Sequence, residues 1–297
     1  MKYLRFLFEN KTYLGILEKD IIYNINTLPG YDNLSTLVDL IKMLEDKPTD
    51  TLSQLLVDAH DIQTFKLDDV KLLAPIERPI HDIICIGLNY KAHYEECSGS
   101  MPLQEPTSPV YFSKRSSKIL GPYEDIPFTG EYDTALDYEV EFAVIIGKTG
   151  RDILPSKVKE HIFGYSVFND VSARTLQKKH QQWYRGKSLD GTSIMGPWIV
   201  ECEDLAYPPI VDLESKVNDE RRQFNSTSNF IYTIEDIIVD FSHGCTLEAG
   251  DIIITGTPAG VGMGFSPPKY LKVGDTITCS IEQIGTISNK IITSPKK

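Results

Sequence analysis

Apolar and polar residues alternate most strictly over residues 136–147, LDYEVEFAVIIG. The even positions Leu136, Tyr138, Val140, Phe142, Val144 and Ile146 are all apolar. That is the period-2 signature of a strand with one buried face. The odd positions begin with Asp137, Glu139 and Glu141 and turn apolar at Ala143 and Ile145. The strand therefore runs from a charged end into a core closed on both sides.

The same reading extends to the rest of the chain. Residues 2–25 form short apolar pieces separated at Asn10–Lys11 and Lys19–Asp20, an antiparallel meander. Leu37, Leu40, Ile41 and Leu44 have helical spacing, with Ser35 placed to cap the helix. A second short helix is expected over 51–60 and a strand over 66–75. Pro75 and Pro79 then punctuate the chain. This places a boundary near residue 76, between a small N-terminal α/β domain (1–76) and a larger domain (77–297). The first has no cluster of catalytic residue types and reads as a packing or capping unit.

Beyond the boundary, residues 82–87 form a short buried strand that leads into a helix bearing His93 and Glu96. Residues 98–108 are rich in Pro, Ser and Gly, a loop that can work with this helix as a lid. Strands are expected at 109–114 and 164–170, the latter followed by a helix capped by Ser172. The glycine-rich stretch 183–198 shows no period and reads as a functional loop. A hairpin with an Asn218–Asp219 turn, a helix over 233–243 and two strands joined at 282–285 complete the pattern. Strands dominate, so the fold class is mainly β within α+β, a mixed β-sandwich or rolled barrel.

Composition narrows the function. The chain has 297 residues and a net charge of −12. An acidic surface repels nucleic acid and anionic membrane, so neither is an expected partner. No apolar run approaches the ~20 residues of a transmembrane helix. The N-terminal segment carries charge among its apolar residues and does not read as a signal peptide. The five cysteines are scattered, without CxxC spacing, which fits a reducing, cytoplasmic location and no zinc finger. The Asn-x-Thr triplets at Asn10 and Asn225 therefore carry no weight. An anionic substrate requires a local cation that overrides the global field.

Candidate chemistry follows. Side chains two apart on a strand face lie ~7 Å from one another, and like charges that close repel. Asp137, Glu139 and Glu141 thus call for positive charge, either a divalent cation or lysines at a solvated strand end. His93 and Glu96 are three apart and share a helix face. A carboxylate beside a His is the layout of a general base, and also a spacing common on exposed helices. Asp170, Arg174 and Gln177 project from one side, which suits a site holding a metal and an anion. Lys114 is either surface-solvated or meets a substrate anion. The glycines of DIIITGTPAGVGMG are no dinucleotide fingerprint, because SPPKYL rather than a helix follows. They read as a buried strand and a backbone-rich turn near a ligand.

Taken in order, GLNYKAHYEE, PVYFSK, DYEVEFAVIIG, GYSVFNDVSARTLQ, RGKSLDGTSIMGPW and GDIIITGTPAGVG resemble the fumarylacetoacetate hydrolase family over roughly residues 78–295. The N-terminal domain and GKSLDG are similar to its bacterial branch of 2-hydroxyhepta-2,4-diene-1,7-dioate isomerases. Some members carry Arg where this chain has Leu88. The resemblance implies one Mg²⁺ or Mn²⁺ per subunit, held by Glu139, Glu141 and Asp170. It also implies a His93–Glu96 lid dyad, a catalytic Lys187, substrate contacts from Arg174, Gln177 and Thr257, and a homodimer. The expected substrate is a small anionic 2-oxo acid. The expected reaction is C–C hydrolysis of an acylpyruvate through a metal-stabilised enolate, with His93 activating water. Isomerisation of an unsaturated 2-oxo diacid and decarboxylation of oxaloacetate use the same half-reaction. A non-catalytic ligand-binding relative is the reading from a different class.

Overall fold

The computed structural model describes residues 1–47, 51–58, 61–98, 106–128 and 130–293. The chain opens with the expected meander of β1 (Lys2–Phe8), β2 (Lys11–Glu18) and β3 (Ile21–Asn24). In α1 (Leu37–Leu44) the cap is Thr36 rather than Ser35. Thr36 Oγ1 accepts from Asp39 N at 3.1 Å, and the Asp39 carboxylate accepts from Thr36 N at 2.8 Å. This reciprocal box needs a carboxylate three residues after the cap, and Asp39 selects Thr36. The second expected helix is α2 (Thr51–Asp58), and residues 59–60 lie outside the described residues. The single strand expected over 66–75 is instead β4 (Thr64–Lys66) and β5 (Lys71–Leu73), divided by a turn of 3₁₀-helix at Leu67–Asp69.

Next come β6 (Ile83–Gly87), α3 (Lys91–Ser98), β7 (Val110–Lys114), β8 (Ile126–Phe128), β9 (Leu136–Asp137) and β10 (Val140–Ile146). Most of the expected 98–108 loop, residues 99–105, lies outside the described residues. β11 (Ile162–Asp170), β12 (Ser172–Ala173), α4 (Arg174–Lys179), α5 (Tyr184–Lys187) and β13 (Ser193–Glu201) follow. Ser172 does not cap α4, because its hydroxyl donates back to Asp170 O at 3.0 Å. The 183–198 stretch, expected to be a loop, is largely helix and strand. Its Gly186 serves close packing, since a Cβ there would lie 2.6 Å from Gln177 N. The chain ends with β14 (Asp212–Val217), β15 (Glu220–Ser226), α6 (Ile234–Ser242), β16 (Ile252–Ile254), β17 (Thr276–Ile281) and β18 (Gly285–Thr293). Asn218 and Asp219 both take positive φ at the β14–β15 turn, as a two-residue hairpin requires.

The fold is a mixed α/β structure dominated by strands. One eleven-stranded sheet runs β4-β3-β2-β1-β13-β11-β10-β16-β6-β7, with β5 on β1. A five-stranded sheet, β15-β14-β17-β18-β8, packs on the β10–β11–β13 region. The segment before residue 76 belongs to the large sheet, because Lys2 and Tyr3 of β1 pair with Val200 and Ile199 of β13.

β10 is buried along its whole length. Val140, Phe142, Val144 and Ile146 face the five-stranded sheet and pack with Leu213, Ile277 and Ile287. Ala143 and Ile145 face the other way, into a core with Leu37, Leu40 and Ile41 of α1. Each large apolar side chain buried stabilises by ~1.5–3 kcal/mol, so two cores hold the strand's faces against rotation. Glu141 shares the α1 side with Ala143, and the site lies at that end. Among the described residues no helix is long and apolar enough to cross a membrane.

β11 tests this architecture, because it carries Asp170. A Cβ on Gly164 would collide with the Val200 carbonyl of β13. Gly164→Ala is expected to destabilise the protein by about 1–3 kcal/mol, read as a lower denaturant midpoint at unchanged slope.

Candidate active site

Three carboxylates converge where β10 and β11 begin and end. Glu141 lies in β10, Glu139 just before it, and Asp170 closes β11. Asp170 N donates to Glu139 O at 2.9 Å, and Asn169 Oδ1 accepts from Glu139 N at 3.1 Å, which locks the two strand ends together. Ligand oxygens of Glu139, Glu141 and Asp170 all lie within 4.8 Å of one another, and all three residues are buried. Asp137, read from the alternation as a third member of the charged face, does not join them. The strand breaks after Asp137, where β9 leaves to pair with β12.

Positive charge arrives from three other elements. Lys187 Nζ, at the end of α5, lies 2.5 Å from Glu139 Oε2 and 2.6 Å from Asp170 Oδ2. Arg174 Nη2, at the start of α4, lies 2.6 Å from Glu139 Oε1. Lys114 Nζ, at the end of β7, donates to Asp170 Oδ1 at 2.6 Å and Val171 O at 3.0 Å. Lys114 is thus neither solvated nor at the cavity. It is fully buried, with its ammonium held by Asp170 and the Val171 carbonyl.

These contacts set the charge states. Burial works against the ionised Glu139, but Lys187 and Arg174 outweigh it and push its carboxyl down to about 2. Burial pushes Glu141 well above the usual carboxylate range, and the charges of Asp170 and Glu139 push the same way. Burial lowers Lys114, while Lys187 is raised because Asp170 and Glu139 overcome its burial. Among the described residues no Lys or Arg pairs with Glu141. A divalent cation suits this donor set. Its oxygens are all carboxylate, with no His or Cys in the cluster, which favours Mg²⁺ or Mn²⁺ over Zn²⁺.

The glycine-rich turn after β16 supplies backbone N–H groups to carboxylates. Gly256 N donates to Glu141 Oε2 at 2.7 Å, and Gly260 N to Glu96 Oε1 at 3.0 Å. Gly262 N and Met263 N donate to Asp137 at 2.6 and 3.0 Å. Gly256 and Gly260 have φ of 95° and 106°, which side-chain-bearing residues avoid. The expected backbone-rich turn is present, and its targets are carboxylates. Thr257 Oγ1 donates to Val140 O at 2.9 Å and accepts from Gln223 Nε2 at 2.7 Å, so its hydroxyl holds β10. Gln223 escaped the sequence reading. Its signal was a polar residue at an inward position of the β14–β15 hairpin.

On α3, His93 Nδ1 lies 3.2 Å from Glu96 Oε2. Cys97 Sγ, one turn further on, lies 3.6 Å from His93 Nε2. Burial disfavours the charged ring, but the contacts with Cys97 and Glu96 and the charge of Glu139 push His93 up to about 9. A cavity of about 30 Å³ brings together His93, Glu139, Glu141, Arg174, Gln177, Lys187 and Thr257. Glu96, Lys114 and Asp170 stand behind these. The opposite wall is apolar, with Leu88, Trp183 and Met263. Leu88 holds φ of 57°, a left-handed conformation that bulky residues avoid and that clusters at functional sites.

Two outcomes follow from this geometry. A Cβ on Gly264 would collide with the Glu96 carboxylate. Gly264→Ala should therefore detach Glu96 from His93 while leaving Mn²⁺ affinity within about twofold, checked by titration calorimetry, and slow any proton transfer by about 10-fold or more. In chelator-treated protein, the raised His93 contributes stability that is fully present below its ordinary value of 6.5 and lost as pH rises through about 9. His93→Gln should flatten the decline of folding stability over that window, measured by denaturant titrations at stepped pH.

Comparison with known proteins agrees with this geometry. Residues 82–292 match the family model described as fumarylacetoacetate (FAA) hydrolase C-terminal. Oxaloacetate tautomerase YisK of Bacillus subtilis is 44% identical over 245 residues, covering 82% of this chain and 78% of the relative. Fumarylacetoacetate hydrolase from Exiguobacterium antarcticum superposes with a TM-score of 0.84 at 41% identity, covering 99% of each chain. Maleylpyruvate hydrolase from Sphingobium sp. SYK-6, solved with manganese (II) ion and pyruvate, gives a TM-score of 0.79 at 28% identity over 99% of this chain and 100% of that one. With the motifs, the fold and the carboxylate cluster in agreement, the chain belongs to the fumarylacetoacetate hydrolase family.

Proposed function

We propose that this protein is a metal-dependent enzyme that moves a proton on a short 2-oxo acid, interconverting its keto and enol forms, with oxaloacetate as the leading substrate. The observation that carries this reading is one buried candidate proton-transfer group, His93 held by Glu96, sharing a cavity with Glu139 and Glu141 of the carboxylate cluster. Enolisation needs a Lewis acid at the keto oxygen and one acid–base group near the adjacent carbon. The 44% identity to an oxaloacetate tautomerase supports a short 2-oxo acid as substrate.

Glu139, Glu141 and Asp170 would hold a divalent cation, Mg²⁺ or Mn²⁺, which would supply Lewis-acid stabilisation of the enolate. His93 exchanges the proton at the adjacent carbon, and Glu96 holds the ring and stabilises its charged form. Lys187 adds positive charge beside Glu139 and Asp170, where oxyanion character develops. Arg174 turns its guanidinium edge to the substrate's anionic end. Leu88, Trp183 and Met263 exclude bulk water, which keeps these charges effective.

A second reading is C–C hydrolysis of an acylpyruvate. It is favoured by the same dyad, since His93 can take a proton from water instead of carbon, and by the likeness to maleylpyruvate hydrolase. The water oxygen then joins the distal carbonyl carbon. The C–C bond breaks with its electron pair going to the pyruvate enolate, and His93 returns the proton to the enolate carbon, giving pyruvate and a carboxylic acid.

The deciding experiment follows the enol absorbance of oxaloacetate beside pyruvate release from oxaloacetate and from acylpyruvates, with Mg²⁺, Mn²⁺ or EDTA. Metal-dependent acceleration of keto–enol exchange is expected, with His93→Ala lowering it by on the order of 10²–10⁴-fold. Metal-dependent pyruvate release from an acylpyruvate without faster exchange would replace the first reading by the second. Metal binding with no turnover of any substrate would leave a ligand-binding relative.

A further inference from the structure

Asp137 belongs to the alternating stretch 136–147, yet it stands outside the carboxylate cluster. We propose that Asp137 is the positioning residue for Arg174, and that through Arg174 it sets the affinity of the site for the anionic end of its ligand. The proposal rests on the 2-oxo acid reading of the cavity.

Asp137 is fully buried. Its Oδ1 accepts from Tyr138 N at 2.9 Å and Gly262 N at 2.6 Å. Its Oδ2 accepts from Met263 N at 3.0 Å and Arg174 Nε at 2.9 Å. Four N–H donors saturate a carboxylate's lone pairs. The side chain therefore ties three pieces together: the end of β9, the glycine-rich turn and the first residue of α4.

Arg174 shows what that tie achieves. Its Nε is held by Asp137, and its Nη1 donates to Gln177 Oε1 at 3.0 Å. The third corner differs. Nη2 lies 2.6 Å from Glu139 Oε1, close enough for charge attraction but off the N–H axis. This buried nitrogen has no hydrogen-bond acceptor among the described residues. Arg174 lines the cavity. A buried donor without an acceptor is costly, and a ligand oxygen in the cavity satisfies it. The fork is thus pinned at two corners, while the third, drawn to Glu139 by charge but poorly aligned with it, keeps an N–H for a ligand oxygen. Asp137 also offsets the repulsion between Arg174 and Lys187, which share Glu139.

Asparagine cannot do the same work. It offers one acceptor oxygen, and its NH₂ group would face an N–H from Arg174 or from the turn. The test is a double-mutant cycle on ligand affinity. Oxalate, a planar analogue of a 2-oxo acid enolate, is titrated calorimetrically into Mn²⁺-loaded wild type, Asp137→Asn, Arg174→Lys and the double variant. Mn²⁺ affinity and thermal melting are recorded for each. Each single change is expected to weaken oxalate by about tenfold, and the double change by about tenfold rather than a hundredfold, because both act on one guanidinium. Mn²⁺ affinity should stay within about twofold, since Asp137 is not a ligand.

Additive losses, or an Asp137→Asn protein that binds oxalate as wild type does, overturn the proposal. If Asp137→Asn fails to fold, the cycle is run with Asp137→Glu, which keeps the charge and moves it by one methylene. Non-additivity there supports the proposal and additivity overturns it. A wild type that does not bind oxalate sinks the proposal with the anion site. Oxalate binding without turnover of oxaloacetate sinks the reaction alone, and the cycle still decides the role of Asp137.

Discussion

Burying three carboxylates within 4.8 Å of one another is the constraint on which the rest of this structure depends. Two like charges roughly 5 Å apart repel by about 3 kcal/mol at an effective dielectric of 20, and burial adds to that. Lys187, Arg174 and Lys114 answer the repulsion from three separate elements. Residues 114 to 187 thus fold around a charge problem set at 139, 141 and 170. Among the described residues no Lys or Arg pairs with Glu141, which makes the cluster hospitable to a divalent ion.

The second organising feature is backbone, not side chain. The turn after β16 gives N–H groups to Glu141, Glu96 and Asp137, one from each part of the site. Its glycines are needed where φ is positive or where the turn meets a carboxylate closely, as Gly264 meets Glu96. The carboxylate cluster, the His93–Glu96 pair and, through Asp137, the Arg174 guanidinium are thereby referenced to one short segment. An error in that segment moves all three together.

Much of this was legible in the chain. The alternation over 136–147 has two faces with different partners, and the structure gives it two cores. The spacing of His93 and Glu96 places them on one face of α3, 3.2 Å apart. The Asn218–Asp219 turn and the meander were equally local, and the grouping of Glu139 and Glu141 with Asp170 was implied by the family motifs. Lys114 was not legible, because a lysine at the end of a strand reads the same whether it meets water or a buried Asp170. The stretch 183–198 was misread because its glycines signal a loop by composition, whereas Gly186 lets α5 approach α4. Ser172 failed as a cap because its hydroxyl had a nearer acceptor in Asp170 O.

By itself the sequence determined the strand-rich class and put Glu139 with Glu141 on one strand face and His93 with Glu96 on one helix face, since periodicity and spacing act over a few residues; Asp170 joined them only through the family motifs. Tertiary structure decided which carboxylate stays out of the trio, which cation serves which oxygen, and that β1 extends the same sheet through β13. Those choices depend on contacts between residues tens to hundreds of positions apart. A pattern of types along the chain does not encode which of several lysines, or which of three neighbouring acids, a fold will bring within 3 Å. Asp137 shows the difference. Its neighbours in sequence are Glu139 and Glu141, but its partners in space are Arg174 and the N–H groups of Gly262 and Met263.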